Sequence, residues 1–268
     1  MNYQEAVYFL YHKTLVFQHV GAQAYKPGLE TTFALAETFG NPHSSFKAIH
    51  IAGTNGKGST AHLLAAILQN CGYRVGLYTS PHLIDFRERI RVNGETVSRQ
   101  FVADFVDSFQ KSSYSGRMPS FFELATIMAF DYFDKMQVDY AVIETGLGGR
   151  LDSTNILCPI LSVITNISFD HTQFLGDTLA KIASEKAGII KRATPVVIGE
   201  TTPETRPIFE AKAAEMNAPI LFAEDSDEIA AAQNEKGKLR LATRNFGIID
   251  NELTGDCQVK NANTVLHA

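Results

Sequence analysis

An apolar run, Lys47 to Ala52, leads straight into Gly53-Thr54-Asn55-Gly56-Lys57-Gly58-Ser59-Thr60, and a helix-period run, His62 to Leu68, follows at once. Strand, glycine loop, lysine, hydroxyl and helix in that order leave few folds open. Glycines let the backbone turn its N–H groups inward and approach ligand oxygens closely, while the helix amino terminus adds a partial positive charge and Lys57 a full one. The segment reads as a phosphate cradle, with Ser59 or Thr60 supplying a hydroxyl to a magnesium ion held against the phosphates. A tight turn that happens to be rich in glycine is the plain alternative. The spacing departs from G-x-x-x-x-G-K-[ST], because Gly58 separates the lysine from the serine.

Around this loop, short apolar runs alternate with amphipathic ones. Tyr73 to Tyr78, Tyr140 to Glu144, Ile160 to Thr165 and Pro195 to Ile198 are strand-like. Ser59 to Asn70, Gln100 to Lys111, Phe121 to Lys135, Leu179 to Ile190 and Thr205 to Asn217 carry apolar residues at helical period. The alternation predicts an α/β fold: a doubly wound, mostly parallel sheet with crossover helices on both faces. Asn93-Gly94 between Ile90 to Val92 and Glu95 to Val97 is a two-residue hairpin signal. Tyr3, Ala6, Val7, Leu10 and Tyr11, then Leu29 to Phe39, form a short helical amino-terminal cap. The polar tail from Asp225 to Asp250 reads as edge strands leading to a linker.

Composition closes off several classes of function. In 268 residues, 45% hydrophobic and 20% charged, there is material for one large core. The net charge of -5 comes from interspersed acids and bases, so neither nucleic acid nor a membrane surface is an expected partner. No apolar stretch nears the roughly 20 residues that span a bilayer, and Met1 to Lys13 lacks the apolar core of a signal peptide, so a cytoplasmic protein is expected. Cys71, Cys158 and Cys257 are odd in number and outside any C-x-x-C spacing; they read as reduced and structural.

Several other residues carry candidate chemistry. Glu144 ends a buried-looking strand, where open parallel sheets place their ligand crevice, and a carboxylate there suits magnesium; a solvated glutamate at a strand terminus is the alternative. His171 follows the next strand, and is either a ligand or an ordinary loop histidine. Lys186 shares a helical stripe with Leu179, Ile182, Ala183 and Ile190. Burial there would lower its pKa and free its amine for chemistry, whereas a snorkelling side chain would keep its charge in water. Thr79 to Arg91 gathers Arg87, Arg89 and Arg91 with Phe86, which suits an anionic ring-bearing acid or, equally, a solvated charged hairpin.

The string Gly53 to Thr60 resembles the nucleotide loop of the Mur ligase superfamily, and most closely its folylpolyglutamate and dihydrofolate synthase branch. Thr79-Ser80-Pro81-His82-Leu83 with Phe86-Arg87-Glu88-Arg89-Ile90, Glu144 to Asn155 through Gly148-Gly149, Phe169-Asp170-His171 and Lys186-Ala187-Gly188-Ile189 are similar to further blocks of that branch, in order along nearly the whole chain. The resemblance implies ATP on Gly53, Thr54, Asn55, Gly56, Lys57, Gly58, Ser59 and Thr60, with Asn261 at the adenine. It also implies two magnesium sites drawn from Ser59, Glu144, His171 and a carbamylated Lys186, with Lys57, His171 and Lys186 as the catalytic set. Ser80, Pro81, His82, Phe86, Arg87 and Arg89 would face dihydropteroate or a folate, with Asp152 and Ser153 across the cleft. The implied reaction joins L-glutamate to that acid through an acyl phosphate, in a monomer.

Residues 1–252 would then be the ATP-binding domain, and 253–268 a linker and the start of a carboxy-terminal domain. Leu253 to Asn261 is similar to the linker block, although Cys257 stands where a tyrosine or histidine is usual. A fragment ending there would turn over poorly. Two rival readings remain: a cell-wall ligase acting on a UDP-muramyl peptide, which needs more than the 52 residues before Gly53, and a nucleotide-binding module without catalysis.

Overall fold

The computed structural model describes residues 1–14, 28–235 and 237–268, so part of the expected amino-terminal cap lies outside the described residues. The strands β1 (Lys47–Ala52), β2 (Val75–Tyr78), β3 (Ile90–Val92), β4 (Glu95–Thr96), β5 (Tyr140–Glu144), β6 (Leu161–Ile164), β7 (Val196–Ile198) and β8 (Ile220–Phe222) form one sheet in the order β4-β3-β2-β5-β1-β6-β7-β8. From β2 to β8 all neighbours are parallel, and β3 and β4 add an antiparallel ribbon at one edge. Asn93 and Gly94 close that ribbon at φ 49 and 84, the left-handed geometry that an Asn-Gly hairpin favours. β1 lies between β5 and β6: the chain runs from β1 to β2 on one side and later crosses from β5 to β6 on the other, so the connections diverge at its carboxyl end, the switch point where open α/β sheets open a crevice.

Alternation along the strands divides the core between two faces. Ile49, Ile51, Val75, Leu77, Val142 and Val163 point to one side, where α3 (Lys57–Asn70) lays Ala61, Leu64 and Ala65 on them. Ala48, Tyr78, Ala141 and Ile143 point to the other and meet α5 (Phe121–Lys135). This helix is buried almost all round, and a helix apolar on every side must be covered on every side. Its outer surface is covered by α1 (Tyr3–His12), α2 (Glu30–Thr38) and α4 (Arg99–Lys111), through Ala6, Leu10, Leu35, Val102, Phe105 and Val106. Further along the same face, α7 (Leu179–Ala187) and α8 (Arg206–Met216) pack Ile182, Ala183, Phe209 and Ala213 on Ile164, Val196 and Ile198; the short α6 (Thr172–Leu175) precedes them.

Two expectations are corrected. The tail does not lengthen the main sheet: β9 (Ile229–Glu235), β10 (Lys238–Thr243) and β11 (Ile248–Asn251) pair only with each other, antiparallel, in a second small sheet. Ile229, Leu239 and Leu241 rest on Ala262 of α9 (Asp256–His267), and α9 sets Val265 against the α3 face. Its buried face is short, but it brings Asn261 to the phosphate loop. The three cysteines are free, as expected, yet exposed, so none is part of the core.

Candidate active site

The glycine loop turns where its sequence requires. Gly53 has φ 146 and Gly56 φ 80, and a Cβ at either would run into Thr165 or Asn261 respectively. Side chains beyond β6 hold the loop from outside. The Thr54 N–H donates to the Asn166 carbonyl at 2.9 Å and the Asn55 N–H to Asn166 Oδ1 at 3.0 Å. Thr165 Oγ1 donates to the Asn55 carbonyl at 2.6 Å, and Ser168 exchanges hydrogen bonds with Thr54 and Asn55. No side chain caps α3, whose 14 residues point their amino terminus into the loop, which leaves its first-turn dipole for an anion.

Two lysines converge on one carbonyl of this loop. Lys57 Nζ donates to Gly53 O and Thr54 O, each at 3.0 Å, and Lys186 Nζ donates to Gly53 O at 2.8 Å. Lys186 is 3% exposed, so its head does not reach water and the snorkelling alternative is ruled out. Burial first, and then the charge of Lys57, bring its pKa down to about 7, against the pull of Asp170 and Asp152.

Glu144, at the end of β5, is also buried at 4% exposure and accepts the Ser80 N–H at 3.1 Å. Burial pushes its carboxyl up to about 7, opposed mainly by Lys57. An ionised carboxylate here is costly without a cation, which favours the ligand reading of Glu144 over the solvated one. Ser59 Oγ accepts from Gln258 Nε2 at 3.2 Å, and Gln258 Oε1 accepts from Asn261 Nδ2 at 3.0 Å, so α9 closes the end of the loop through two amides. Thr60 is fully buried and its Oγ1 has no hydrogen-bond partner among the described residues.

Magnesium needs only one or two carboxylates alongside phosphate oxygens and waters. Glu144 with the neighbouring hydroxyls fits one such ion. Among the described residues, however, no three His, Cys, Asp or Glu side chains come together around a metal. His171 caps α6 at φ 47 on the exposed side of the loop, its Nε2 3.6 Å from Asp170, while Lys186 as an amine is committed to Gly53. A second ion would require the lysine to become an anion first.

The expected substrate residues divide. Phe86 is 3% exposed and belongs to the core beneath the loop, so it is not a stacking platform. Arg87 is held by Asp85 through Nε at 3.1 Å and Nη2 at 3.0 Å, which occupies the fork intended for an acid. Arg89 is buried over the Phe121 ring and donates Nε to His82 Nδ1 at 2.7 Å. Asp152 is turned inward: it accepts the N–H groups of Gly146, Leu147 and Thr154 and the Thr154 hydroxyl, leaving no acceptor for a ligand. It shapes the glycine turn after Glu144 instead. The Ser80 N–H holds Glu144, a cis bond joins Ser80 to the exposed Pro81, and Ser153 is half-buried in the turn behind Asp152.

Sequence reasoning missed the residues that hold others in place. Thr165, Asn166 and Ser168 lie at a strand end beside the switch point, a position that marks ligand crevices and was the available signal. Tyr3 and Tyr11 gave none, because their contacts join residues 71 or more apart in sequence.

Comparison with known proteins agrees with this geometry. The profile described as the Mur ligase middle domain matches residues 51–268. A dihydrofolate synthase/folylpolyglutamate synthase from Bacillus subtilis (strain 168) is 39% identical over an aligned length of 249, covering 88% of this chain and 57% of that protein. An FPGS-AMPPCP-folate complex superposes with TM-score 0.86 at 33% identity, covering 100% of this chain and 66% of the other. A folylpolyglutamate synthase from Thermotoga maritima gives TM-score 0.84 at 37% identity, covering 99% and 61%. The chain thus spans about three fifths of the length of the relatives it matches. A doubly wound sheet whose glycine loop gathers two lysines beside a buried glutamate, with a profile match over most of its length, makes this chain a member of the Mur ligase middle-domain family.

Proposed function

We propose that this chain is the nucleotide-binding part of an ATP-dependent ligase that joins L-glutamate to dihydropteroate or to the terminal glutamate of a folate. The observation that carries the reading is the pair of lysines on Gly53 O, one of them with its pKa brought down to about 7. The cation of Lys57, sharing a neutral carbonyl with a second amine, has no counter-charge there and favours an incoming anion. A triphosphate gives Lys57 a better partner than Gly53 and Thr54, and the uncapped start of α3 receives the same oxygens. The relatives' names point to a folate and to glutamate, and the AMPPCP and folate bound in one solved neighbour fit the nucleotide and the acid.

In this reading the acid's carboxylate oxygen attacks the γ-phosphorus and ADP leaves. The glutamate amine then attacks the acyl carbon of the resulting acyl phosphate, phosphate departs, and the amine's proton passes to solvent. Lys57 and the loop amides orient the transferred group and meet its charge. Magnesium would be held by Glu144 with Ser59, and would neutralise charge on the phosphates. Lys186, as a neutral amine, would add carbon dioxide and release a proton to become a carbamate anion, which with His171 would hold a second ion. Asn261, on α9 beside Gly56, lies where the nucleoside would extend from the loop. The reading includes a second domain after α9 to supply the glutamate site, and a monomeric cytoplasmic protein. Among the described residues no helix is long and apolar enough to cross a membrane.

The test is ADP release by the full-length gene product. Release that depends on both dihydropteroate or a folate and L-glutamate is the expected result. Release that ignores the pteridine acid, or that requires a UDP-linked peptide, overturns the reading.

A further inference from the structure

Helix α1 does more than cover the core. Its amino terminus is fixed by a capping box between Asn2 and Glu5, and Ala6 and Leu10 are fully buried. Two tyrosines from it reach the 79–91 loop. Near its start, Tyr3 Oη donates to Asp85 Oδ1 at 2.7 Å, and the guanidinium groups of Arg87 and Arg99 lie 5.7 and 5.5 Å from the Tyr3 ring. Near its end, Tyr11 Oη is 3.0 Å from His82 Nε2, and the Tyr11 ring packs 4.9 Å from that of Phe121.

The histidine between them has one possible protonation pattern. Arg89 Nε only donates, so His82 Nδ1 accepts, the ring is neutral, and its proton is on Nε2. Tyr11 Oη is therefore the acceptor of the Nε2–H. Arg89 in turn lies 5.1 Å over the Phe121 ring that Tyr11 touches, which closes the circuit. Between these two anchors the loop is braced from within: Glu88 accepts the N–H groups of Leu83, Ile84 and Asp85. At its near end the Ser80 N–H holds Glu144. Leu83 and Ile84, 90% and 92% exposed, form an apolar crest held between the anchored His82 and Asp85.

We infer that α1 is a positioning element for the acid substrate, and that Tyr11 is a positioning residue acting through His82 and Arg89 on the 79–91 loop, which steadies Glu144 and, in the proposed function, borders that substrate. The inference rests on the proposed function for the identity of that substrate. A polar circuit of this kind costs more to bury than apolar packing would, and what it gives in exchange is a single loop geometry. Removing the Tyr11 hydroxyl leaves His82 Nε2–H without its acceptor and lets the loop sample others.

The experiment compares Tyr11→Phe, His82→Ala and the double variant in the full-length protein. Three quantities are read: KM for dihydropteroate, Kd for AMPPCP, and hydrogen exchange of the peptide spanning residues 79–92. For Tyr11→Phe, KM for dihydropteroate rises about fivefold, the loss of one hydrogen bond, while Kd for AMPPCP stays within about twofold. Loop exchange speeds up with the thermal midpoint nearly unchanged, and the double variant is no worse than His82→Ala, because both changes cut one circuit. Unchanged loop exchange, additive effects of the two changes, or an equal loss of affinity for AMPPCP and dihydropteroate overturns the inference. A wild-type protein with no dihydropteroate-dependent turnover defeats the functional reading instead, and loop exchange then still decides whether Tyr11 anchors the loop.

Discussion

Two loops at the carboxyl edge of the sheet both carry cations and differ in how far those charges are committed. The 79–91 loop carries three arginines, yet Arg87 is locked to Asp85 and Arg89 to His82 and the Phe121 ring, which leaves Arg91 alone among them on carbonyls, those of Glu88 and Gly94. The 53–60 loop carries one lysine, borrows a second from α7, and gives both only backbone carbonyls. A carbonyl is a weak partner for an ammonium group compared with a phosphate, so the poorer loop in charge is the richer one in exchangeable charge. Density of arginines in a sequence marks where charge is, not where it is available.

The largest test of that contrast pairs Lys57→Met with Arg87→Ala in the full-length protein. Loss of Lys57 lowers ADP release about a thousandfold, the scale for removing a preorganised cation from a transferring phosphoryl group. Loss of Arg87, already spent on Asp85, lowers it less than about tenfold. Comparable losses from the two would break the contrast. Beneath the 79–91 loop, Phe86→Ala destabilises by about 3 kcal/mol in a denaturant titration, as truncation of a fully buried aromatic does. A change that raised the substrate KM and left stability intact would return Phe86 to the substrate.

The exchangeable charges also predict a pH signature. Glu144 ionises near 7 in the fold against an ordinary 4.5, so the folded state holds its proton longer; stability falls as pH rises from about 4.5 to 7. Lys186 has the opposite sense. It loses its proton near 7 against an ordinary 10.5, the unfolded chain binds the extra proton between those values, and stability rises as pH climbs from about 7 to 10.5. Without nucleotide or magnesium the two groups together give a stability minimum near neutral pH, the Glu144 limb on the order of 3 kcal/mol and the Lys186 limb on the order of 5 kcal/mol. Denaturant midpoints from pH 5 to 10 read it directly: Glu144→Gln removes the falling limb and Lys186→Met the rising one. A profile that stays flat, or that keeps its minimum in both variants, shows that the buried charges are already neutralised by partners within the chain.

What the sequence disclosed follows the same division. The strands β1 and β5, the helix α5 and the Asn93-Gly94 hairpin were legible to the residue, because period, run length and turn chemistry are local. So was the phosphate loop, whose Gly53 and Gly56 are needed at the positive φ values they adopt. The burial of Lys186 was half legible, since its stripe pointed inward but nothing in the sequence showed that Gly53 O would receive its amine. The roles of Asp152 and Phe86 were not legible. Both lie among residues typical of a site, and only the N–H groups folded around one and the helices around the other reveal scaffold. The second small sheet was hidden for a related reason: its pairing partners are each other, and its apolar residues Ile229, Leu239 and Leu241 are too few to announce a face until Ala262 covers them.

The smallest effect sharpens the comparison at its least exchangeable point. Arg87 beside Asp85, with the Tyr3 hydroxyl donating to the same carboxylate, holds that carboxyl well below the usual range. A depressed folded value means that the stabilisation is present above the unfolded carboxylate's pKa and is lost as pH falls through the folded one. The pair keeps about one quarter of each side chain exposed, so water and salt still weaken it. A double-mutant cycle of Arg87→Ala and Asp85→Asn therefore gives a coupling of no more than about 1 kcal/mol at pH 7, shrinking further at high salt. A coupling several times larger would mean that this ion pair, and not the Tyr11–His82–Arg89 circuit, sets the loop's position, and the arginine-rich loop would then owe its geometry to charge after all.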